Sequence, residues 1–162
     1  MKEIVNLLKK TNKTISTMES CTGGSIVNEI TNIEGASDIL KFSAITYSNE
    51  YKIKMGVSKD IIDKYSVYSI ETANEMSKAI SNYTNSDYGI GITGKLNRID
   101  KNNPFGEDNI VYISIYIKET NEYITKKVQV ENLSRKANKE LIIKEVKSML
   151  LNLIKDYSNK NK

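Results

Sequence analysis

The segment at 19–24, with the sequence ESCTGG, places three side chains capable of nucleophilic attack beside two glycines. It follows a β-branched run at 14–18 and precedes apolar residues at helical spacing from Ile26 to Ile33. This pattern predicts a strand, a tight turn and the start of a helix. The free N–H groups at a helix start point towards whatever lies over the turn, so a hydroxyl held there would lie beside anion donors. The alternative is an ordinary N-capped helix, because Ser and Thr are preferred caps.

The chain contains one cysteine and no histidine, and these two counts exclude several mechanisms. A disulfide within the chain is impossible, so we expect a cytoplasmic location. Zinc sites depend on Cys and His ligands, so we expect no metal. A histidine-based triad is excluded as well. If Ser20 is a nucleophile, its base must therefore be Lys, Tyr, Asp or Glu.

Candidate partners for Ser20 follow a second apolar run, which ends near Ile45. Tyr47 lies at the end of that predicted strand and Lys52 on the turn after it. Parallel neighbouring strands would bring their carboxyl ends to the same rim of the sheet as Ser20. A lysine with a lowered pKa can accept the serine proton, and a tyrosine can relay that proton or hold the lysine in place.

Each of these residues also has an ordinary structural interpretation. The alternating lysines around Lys52 are typical of a solvated helix or strand face, and Tyr47 fits a half-buried aromatic side chain at a strand end. Cys21 fits a small buried apolar residue, and Thr22 fits a helix cap. Glu19 fits either an orienting partner for the lysine or tyrosine or the simple end of a strand. The residues taken singly leave both interpretations open.

Three segments in order resemble the CinA C-terminal domain family, whose characterised enzymes are nicotinamide-nucleotide amidases. They are E-S-C-T-G-G at 19–24, T-Y-S-N-x-x-K at 46–52 and a strand ending in G-I-x-G at 91–94. The first two motifs together are specific, and the resemblance extends over nearly the whole chain.

The resemblance implies that nicotinamide mononucleotide and water give nicotinate mononucleotide and ammonia, without a cofactor. It also implies a homodimer and a three-layer α/β/α sandwich. The catalytic residues would be Ser20, Tyr47 and Lys52. Oxyanion- and substrate-binding groups would come from the first and third motifs, at Thr22, Gly23, Gly24, Thr93 and Gly94.

The chain departs from the family pattern after Gly94. Family members continue with a proline and several glycines, whereas the sequence at 95–106 has neither the proline at that point nor the glycine cluster. Lys95 and Arg98 could replace backbone N–H groups as the phosphate ligands. Arg135 and Lys139 are candidates for a further anion site, since they are what remains of a later basic element of the family.

Two classes of function stay open on the sequence. The first is an amidase acting on nicotinamide mononucleotide or on a different amide. The second is a noncatalytic binding or competence-associated regulatory protein, because fold does not fix function. We do not expect nucleic-acid binding, because acidic residues are interleaved with the basic ones of the last third and no nucleic-acid motif accompanies them.

Length and periodicity predict the elements that position these residues. The 162 residues are 39% apolar and 27% charged, and predict one domain at 1–158 with a disordered tail at 159–162. No apolar run approaches the roughly 20 residues needed to cross a membrane, and the first ten residues lack a signal-peptide pattern. Alternating elements ending in a hairpin and a long helix indicate an α/β fold with a mixed sheet. We predict helices at 1–11, 23–32, 58–64, 69–83 and 134–158, and strands at 13–18, 40–47, 87–92, 109–118 and 121–130.

Overall fold

The computed structural model describes residues 1–160, and its centre is a five-stranded mixed sheet. The strands are β1 (Ile15–Glu19), β2 (Leu40–Ile45), β3 (Tyr88–Gly94), β4 (Ile110–Ile117) and β5 (Glu122–Gln129). Their order is β2-β1-β3-β4-β5. β1 runs parallel to β2 and β3, and β4 runs antiparallel to β3 and β5. The predicted mixed sheet and terminal hairpin are confirmed.

Helices cover both faces of the sheet. They are α1 (Lys2–Lys10), α2 (Ser25–Thr31), α3 (Asn49–Lys54), α4 (Lys59–Tyr65), α5 (Ile70–Thr84) and α6 (Arg135–Lys160). One buried cluster joins α1, α2 and α6 to the sheet, and a second joins α4 and α5 to the opposite face. Side chains alternate between the faces along each strand, which is why Ile15 belongs to the first cluster and Met18 to the second.

α5 lies unusually close to β3 because two strand positions carry no side chain. A Cβ atom on Gly89 would lie 1.9 Å from the Ser77 carbonyl oxygen, and one on Gly91 would lie 2.2 Å from the Ala73 carbonyl oxygen. Any larger residue would therefore force the helix away from the sheet. This close packing fixes the strand whose carboxyl end carries the third motif.

Some predicted elements differ from the structure, and the difference after β2 matters for the site. The strand expected at 40–47 ends at Ile45, and the unpredicted helix α3 follows it. The side chain of Ser48 accepts a hydrogen bond from the Tyr51 amide, so Ser48 caps a helix where a turn was expected. A short 3₁₀ turn at Ala36–Asp38 was also missed. The predicted tail at 159–162 lies partly outside the described residues, and α6 extends to Lys160.

Candidate active site

Ser20 lies in the turn between β1 and α2, and the residue before it organises that turn. The buried Glu19 carboxylate accepts hydrogen bonds from the amides of Ile26 and Val27, both at 3.0 Å, and from the Thr22 hydroxyl at 2.7 Å. Glu19 therefore caps α2 from inside the fold. It makes no hydrogen bond with Lys52 or Tyr47, the residues that it would orient in one of its two interpretations. The strand-turn-helix arrangement predicted around Ser20 is present.

The turn uses two glycines in the left-handed region of backbone space. Gly23 has φ +60° and Gly24 has φ +91°, conformations that residues with side chains rarely adopt. The Gly23 amide donates to the Ser20 carbonyl oxygen at 2.9 Å. Within residues 1–160, no acceptor engages the amides of Thr22 or Gly24, whereas the Cys21 amide interacts with its own side-chain sulfur. The N–H groups of Thr22 and Gly24 are the donors that the turn leaves available to a ligand.

Lys52 brings an amine to the Ser20 hydroxyl from the second turn of α3. Its Nζ lies 3.0 Å from Ser20 Oγ and 2.7 Å from the Thr46 carbonyl oxygen. The lysine is 2% exposed and the serine 8% exposed. The alternative that Lys52 decorates a solvated face is therefore excluded. The prediction placed it on a turn, whereas it lies in a helix because Ser48 caps that helix.

Burial changes the acid–base properties of two neighbouring groups. Desolvation lowers the pKa of Lys52 to about 8, although Cys21 and Asp100 partly oppose that change. Burial likewise raises the pKa of the Cys21 thiol to about 12. Near neutral pH, a minor fraction of Lys52 is thus neutral, far more than for an ordinary lysine, while Cys21 stays protonated. Of the two side chains, the lysine is the available base and the cysteine is a poor nucleophile.

Tyr47 lies at the rim of the site and does not touch the Ser20–Lys52 pair. It is 66% exposed, and its hydroxyl accepts a hydrogen bond from the Arg135 guanidinium at 3.3 Å. No hydrogen bond joins it to Ser20 or Lys52 among the described residues. Its assignment as a catalytic residue therefore remains a prediction, and no direct contact with Ser20 or Lys52 supports it.

The third motif contributes to the wall of the site. The buried Thr93 hydroxyl donates to the Val67 carbonyl oxygen at 2.8 Å, so its polar group is already used within the fold. Gly94 has φ +156°, and a Cβ atom there would lie 2.5 Å from the Ile110 carbonyl oxygen. Glycine is therefore required where β3 passes β4. Gly94 lines the cavity described next, and Thr93 does not.

A cavity of about 600 Å³ opens over Ser20. Five separate parts of the chain line it: Ser20 and Cys21; Tyr47, Ser48 and Asn49; Tyr68; part of the segment at 94–103; and Arg135 from α6. This volume is within the range of about 300–1,000 Å³ typical of small-molecule sites. The parallel strands β1 and β2 end at this rim, as the sequence predicted.

The divergent loop after Gly94 forms one wall, and its two basic residues are placed differently. The buried Lys95 ammonium pairs with Asp108 at 2.8 Å and lies 5.1 Å from the centre of the Tyr68 ring. Arg98 is exposed at the cavity, and only its backbone amide contacts Asp108, donating to the Asp108 carbonyl oxygen at 3.2 Å. Both line the cavity, but the charge of Lys95 already has a carboxylate partner.

The start of α6 brings two further cations to the turn. Arg135 lines the cavity, and a Cβ atom on Gly23 would lie 3.3 Å from the Lys139 ammonium. The sequence proposed these residues as a remnant anion site. The structure places Arg135 at the mouth of the cavity and Lys139 against the Ser20 turn.

Four site residues, Asn49, Tyr68, Asp100 and Asn103, were not predicted from the sequence. The Tyr68 hydroxyl donates to Asp100, and the Asn103 side chain bridges Asp100 and Asn49, at 3.1 and 2.9 Å. Asn49 belongs to the T-Y-S-N motif, which was a usable signal. Tyr68, Asp100 and Asn103 lie in segments without a motif, so nothing in the sequence pointed to them.

Within residues 1–160, no group of three or more His, Cys, Asp and Glu side chains is arranged to hold a metal ion. Across the same part of the chain, no helix is long and apolar enough to cross a membrane.

Comparisons with known proteins match this fold and motif order. The family model for the CinA C-terminal domain matches residues 1–154. A "CinA-like protein" from Kosmotoga olearia is 41% identical over 115 residues, which are 70% of this chain and 28% of that protein. A "putative competence-damage inducible protein" from Clostridium botulinum is 37% identical over 144 residues, which are 86% of this chain and 32% of that protein. The chain thus spans about a third of the length of these relatives.

Solved structures share the fold at low sequence identity. A competence-damaged protein (CinA) superfamily member from Klebsiella pneumoniae superposes with a TM-score of 0.84 at 18% identity, covering 96% of this chain and 95% of that one. The competence/damage inducible protein CihA from Agrobacterium tumefaciens has a TM-score of 0.83 at 22% identity, covering 93% and 91%. At these identities, the likeness establishes the fold alone.

Proposed function

The chain belongs to the CinA C-terminal domain family, and from this premise we propose that it is a serine amidohydrolase acting on nicotinamide mononucleotide. The observation that carries the proposal is the 3.0 Å contact between Lys52 Nζ and Ser20 Oγ. A serine hydroxyl needs a base to become a nucleophile, and a buried neutral lysine can be that base. The family resemblance supplies the substrate, and the contact supplies the chemistry.

The first half of the reaction forms an ester on Ser20. Neutral Lys52 takes the hydroxyl proton as Ser20 Oγ attacks the carboxamide carbon, which gives a tetrahedral oxyanion. The Thr46 carbonyl accepts one N–H of the lysine and so holds its lone pair towards the serine. The oxyanion then collapses, the C–N bond breaks, and protonated Lys52 donates its proton to the departing ammonia.

Amides of the turn are proposed to stabilise the oxyanion. Thr22 and Gly24 have N–H groups without acceptors in the described residues. The Gly23 amide already donates to the Ser20 carbonyl oxygen, so it can donate to the oxyanion only if the turn shifts. One such donor contributes about 3 to 4 kcal/mol in hydrolases of this kind.

The second half of the reaction releases the acid. Lys52, now neutral again, takes a proton from water as the water oxygen attacks the ester carbon. Collapse of the second tetrahedral species breaks the bond to Ser20 Oγ, and the lysine returns the proton to that oxygen. Nicotinate mononucleotide leaves, and both residues are restored to their starting states, so the cycle requires no cofactor.

The test is ammonia release from nicotinamide mononucleotide by the purified chain. Ser20→Ala should lower the rate by at least about a thousandfold, because it removes the nucleophile. Ser25→Ala is the matched control: its hydroxyl belongs to the same turn and donates to the Thr22 carbonyl, but it does not line the cavity. Wild-type kcat/KM should rise with pH through about 8, as Lys52 loses its proton.

A Ser20→Ala chain with wild-type ammonia release would overturn the assignment of Ser20. Binding of the nucleotide without ammonia release by the wild type would instead favour a noncatalytic binding or regulatory protein. The names of these relatives refer to competence and damage induction and not to an activity, which is compatible with that second class. A homodimer and a cytoplasmic location are part of the same proposal, since they rest on the resemblance and on the single cysteine.

A further inference from the structure

Asp100 supplies a negative charge to the proposed active site. It is the one carboxylate among the residues that line the cavity in the described part of the chain. The other charged residues lining the cavity are Lys95, Arg98 and Arg135, and the buried amine of Lys52 lies behind Ser20. Lys95 is already neutralised by Asp108, so Asp100 faces a cavity whose remaining charges are positive.

The side chains of Tyr68 and Asn103 and the backbone amides of Asn102 and Asn103 hold the Asp100 carboxylate in place. Oδ2 accepts from the Tyr68 hydroxyl and from the Asn103 side chain at 3.1 Å, and Oδ1 accepts from the Asn102 amide at 2.9 Å. The loop thus fixes both the position and the charge of this group.

The carboxylate is ionised at neutral pH and lines the same cavity as Ser20. The hydrogen bond from Tyr68 lowers the pKa of Asp100 below its ordinary value. The charge of Asp100 also favours the protonated form of Lys52, whose amine contacts Ser20. A group that opposes the proposed base works against the hydrolysis step. Its position therefore calls for a role in binding.

We propose that Asp100 is a specificity-determining residue that selects amides whose carboxamide is attached to a cationic ring. The inference rests on the proposed function, and it concerns how one form of the substrate is distinguished from another. In nicotinamide mononucleotide the ring is a pyridinium cation, whereas in the reduced nucleotide the same carboxamide and phosphate accompany a neutral dihydropyridine. A fixed carboxylate attracts the first ring and gains nothing from the second.

The charge pattern of the cavity fits the oxidised nucleotide as a whole. The exposed guanidinium groups of Arg98 and Arg135 suit a phosphate, and the Asp100 carboxylate suits the cationic ring. Asp100 lies in the loop that replaces the family's glycine-rich segment. The selection would therefore be a property of this chain's own loop.

Binding to the Ser20→Ala chain tests the inference, because hydrolysis then does not consume the ligand. Calorimetry compares the oxidised nucleotide with the reduced one, first in Ser20→Ala and then in Ser20→Ala/Asp100→Asn. We expect the added Asn substitution to weaken binding of the oxidised nucleotide by about tenfold and to change binding of the reduced nucleotide by less than about twofold. Thermal melts check that both chains are folded.

Glu107→Gln in the same background is the matched control. Glu107 lies in the same loop and pairs with Lys127 at 3.2 Å, but it does not line the cavity. Glu107→Gln changes the net charge of the molecule as much as Asp100→Asn does, but at a position outside the cavity. It should therefore leave the preference between the two ligands unchanged.

Equal weakening of both ligands by Asp100→Asn would overturn the inference, as would an absence of binding by either nucleotide. An equal effect of Glu107→Gln would do the same, since it would reduce the result to net charge. Failure of the proposed function has a different signature: no ammonia release by the wild type, or ammonia appearing in the Ser20→Ala experiment, with the ligand preference intact.

Discussion

At the scale of single residues, Lys52 serves two opposed requirements. Burial costs free energy whenever the amine is charged, and the same burial lowers its pKa far enough for it to act as a base. The two hydrogen-bond partners of the amine are the Ser20 hydroxyl and the Thr46 carbonyl, and neither carries a charge. A residue kept in such surroundings trades stability for chemistry, which is typical of functional sites.

Replacing Lys52 with methionine should therefore stabilise the protein while it abolishes amide hydrolysis. A pKa that falls from 10.5 to about 8 corresponds to about 3 kcal/mol against the charged form. Loss of the hydrogen bond to the Thr46 carbonyl offsets about half of this. Denaturant unfolding at pH 7 should then show a net gain of about 1 to 2 kcal/mol.

The stability gained in Lys52→Met should depend on pH, because the pKa of Lys52 differs between the folded and unfolded chains. Below about pH 8 the lysine is charged in both folded and unfolded chains. The folded wild type then carries the full free-energy cost of burying the charge, and Lys52→Met gains the most stability. Between about 8 and 10.5 the folded lysine is neutral, and the gain should fade as the pH rises. Lys54→Met in the same helix is the control, because Lys54 is exposed and pairs with Glu50. A gain independent of pH would contradict the account.

Ser20 and Lys52 could be predicted from the sequence because both lie in motifs whose residue types suit one reaction. Tyr47 was drawn from the same motif, and its side chain turned out to face Arg135. Tyr68 and Asp100 could not be predicted. They reach the site through tertiary contacts across 32 residues of chain, and no spacing records those contacts.

At the scale of elements, the Ser20 turn depends on Glu19 as much as on its glycines. The Glu19 carboxylate ties the end of β1 to the first amides of α2. Because both oxygens accept from backbone N–H groups, the direction of the helix and the conformation of residues 20–24 are set together. The sequence predicted the strand, the turn and the helix here, but it did not identify the group that connects them.

Glu19→Gln should loosen this connection. A glutamine oxygen can still accept from one amide, but its NH₂ group faces the other amide and leaves that buried donor unpaired. We expect a loss of about 2 to 3 kcal/mol in the free energy of unfolding, together with a lower rate of ammonia release, because the turn amides move. Glu34→Gln at an exposed position should change the stability by less than about 0.5 kcal/mol. Unchanged stability in Glu19→Gln would show that the carboxylate is not needed as a cap.

α3 illustrates why an element can escape detection. It is six residues long, Asn49–Lys54, and its apolar positions are too few to show a helical period. The cap at Ser48 was the available signal, because a serine before an acidic first turn is typical of a helix start. The oversight had a consequence for the site, since a helix and not a turn aims Lys52 at Ser20.

At the scale of the whole molecule, sequence reasoning succeeded where one segment determines its own structure. The strands, the hairpin and the long α6 all follow from local periodicity. The cavity does not, because residues from 20 to 135 line it and the strand order brings them together. Lys95 shows the difference: its type suggested a phosphate ligand, whereas the fold pairs it with Asp108.

Binding across these segments should stabilise the entire fold, and the two basic residues of the loop should contribute differently. In the Ser20→Ala chain, a saturating excess of nicotinamide mononucleotide at about 100 times its Kd adds about 2.7 kcal/mol, which calorimetric melting reads as a raised Tm. Arg98→Ala should weaken nucleotide binding by about tenfold to a hundredfold, since a charge-assisted hydrogen bond contributes about 1.5 to 3 kcal/mol. The Tm rise should shrink accordingly.

Nicotinamide riboside is the control ligand, because it lacks the phosphate. Its effect on Tm should be the same with and without Arg98. Lys95→Met should leave the difference between nucleotide and riboside unchanged, because Asp108 already holds the Lys95 ammonium. If Arg98→Ala reduced the Tm rise equally for both ligands, Arg98 would shape the cavity without reading the phosphate. If Lys95→Met instead removed the difference in Tm rise between nucleotide and riboside, the Lys95–Asp108 pair would have to open on binding. The phosphate would then be held by Lys95, whose ammonium pairs with Asp108 in the free protein.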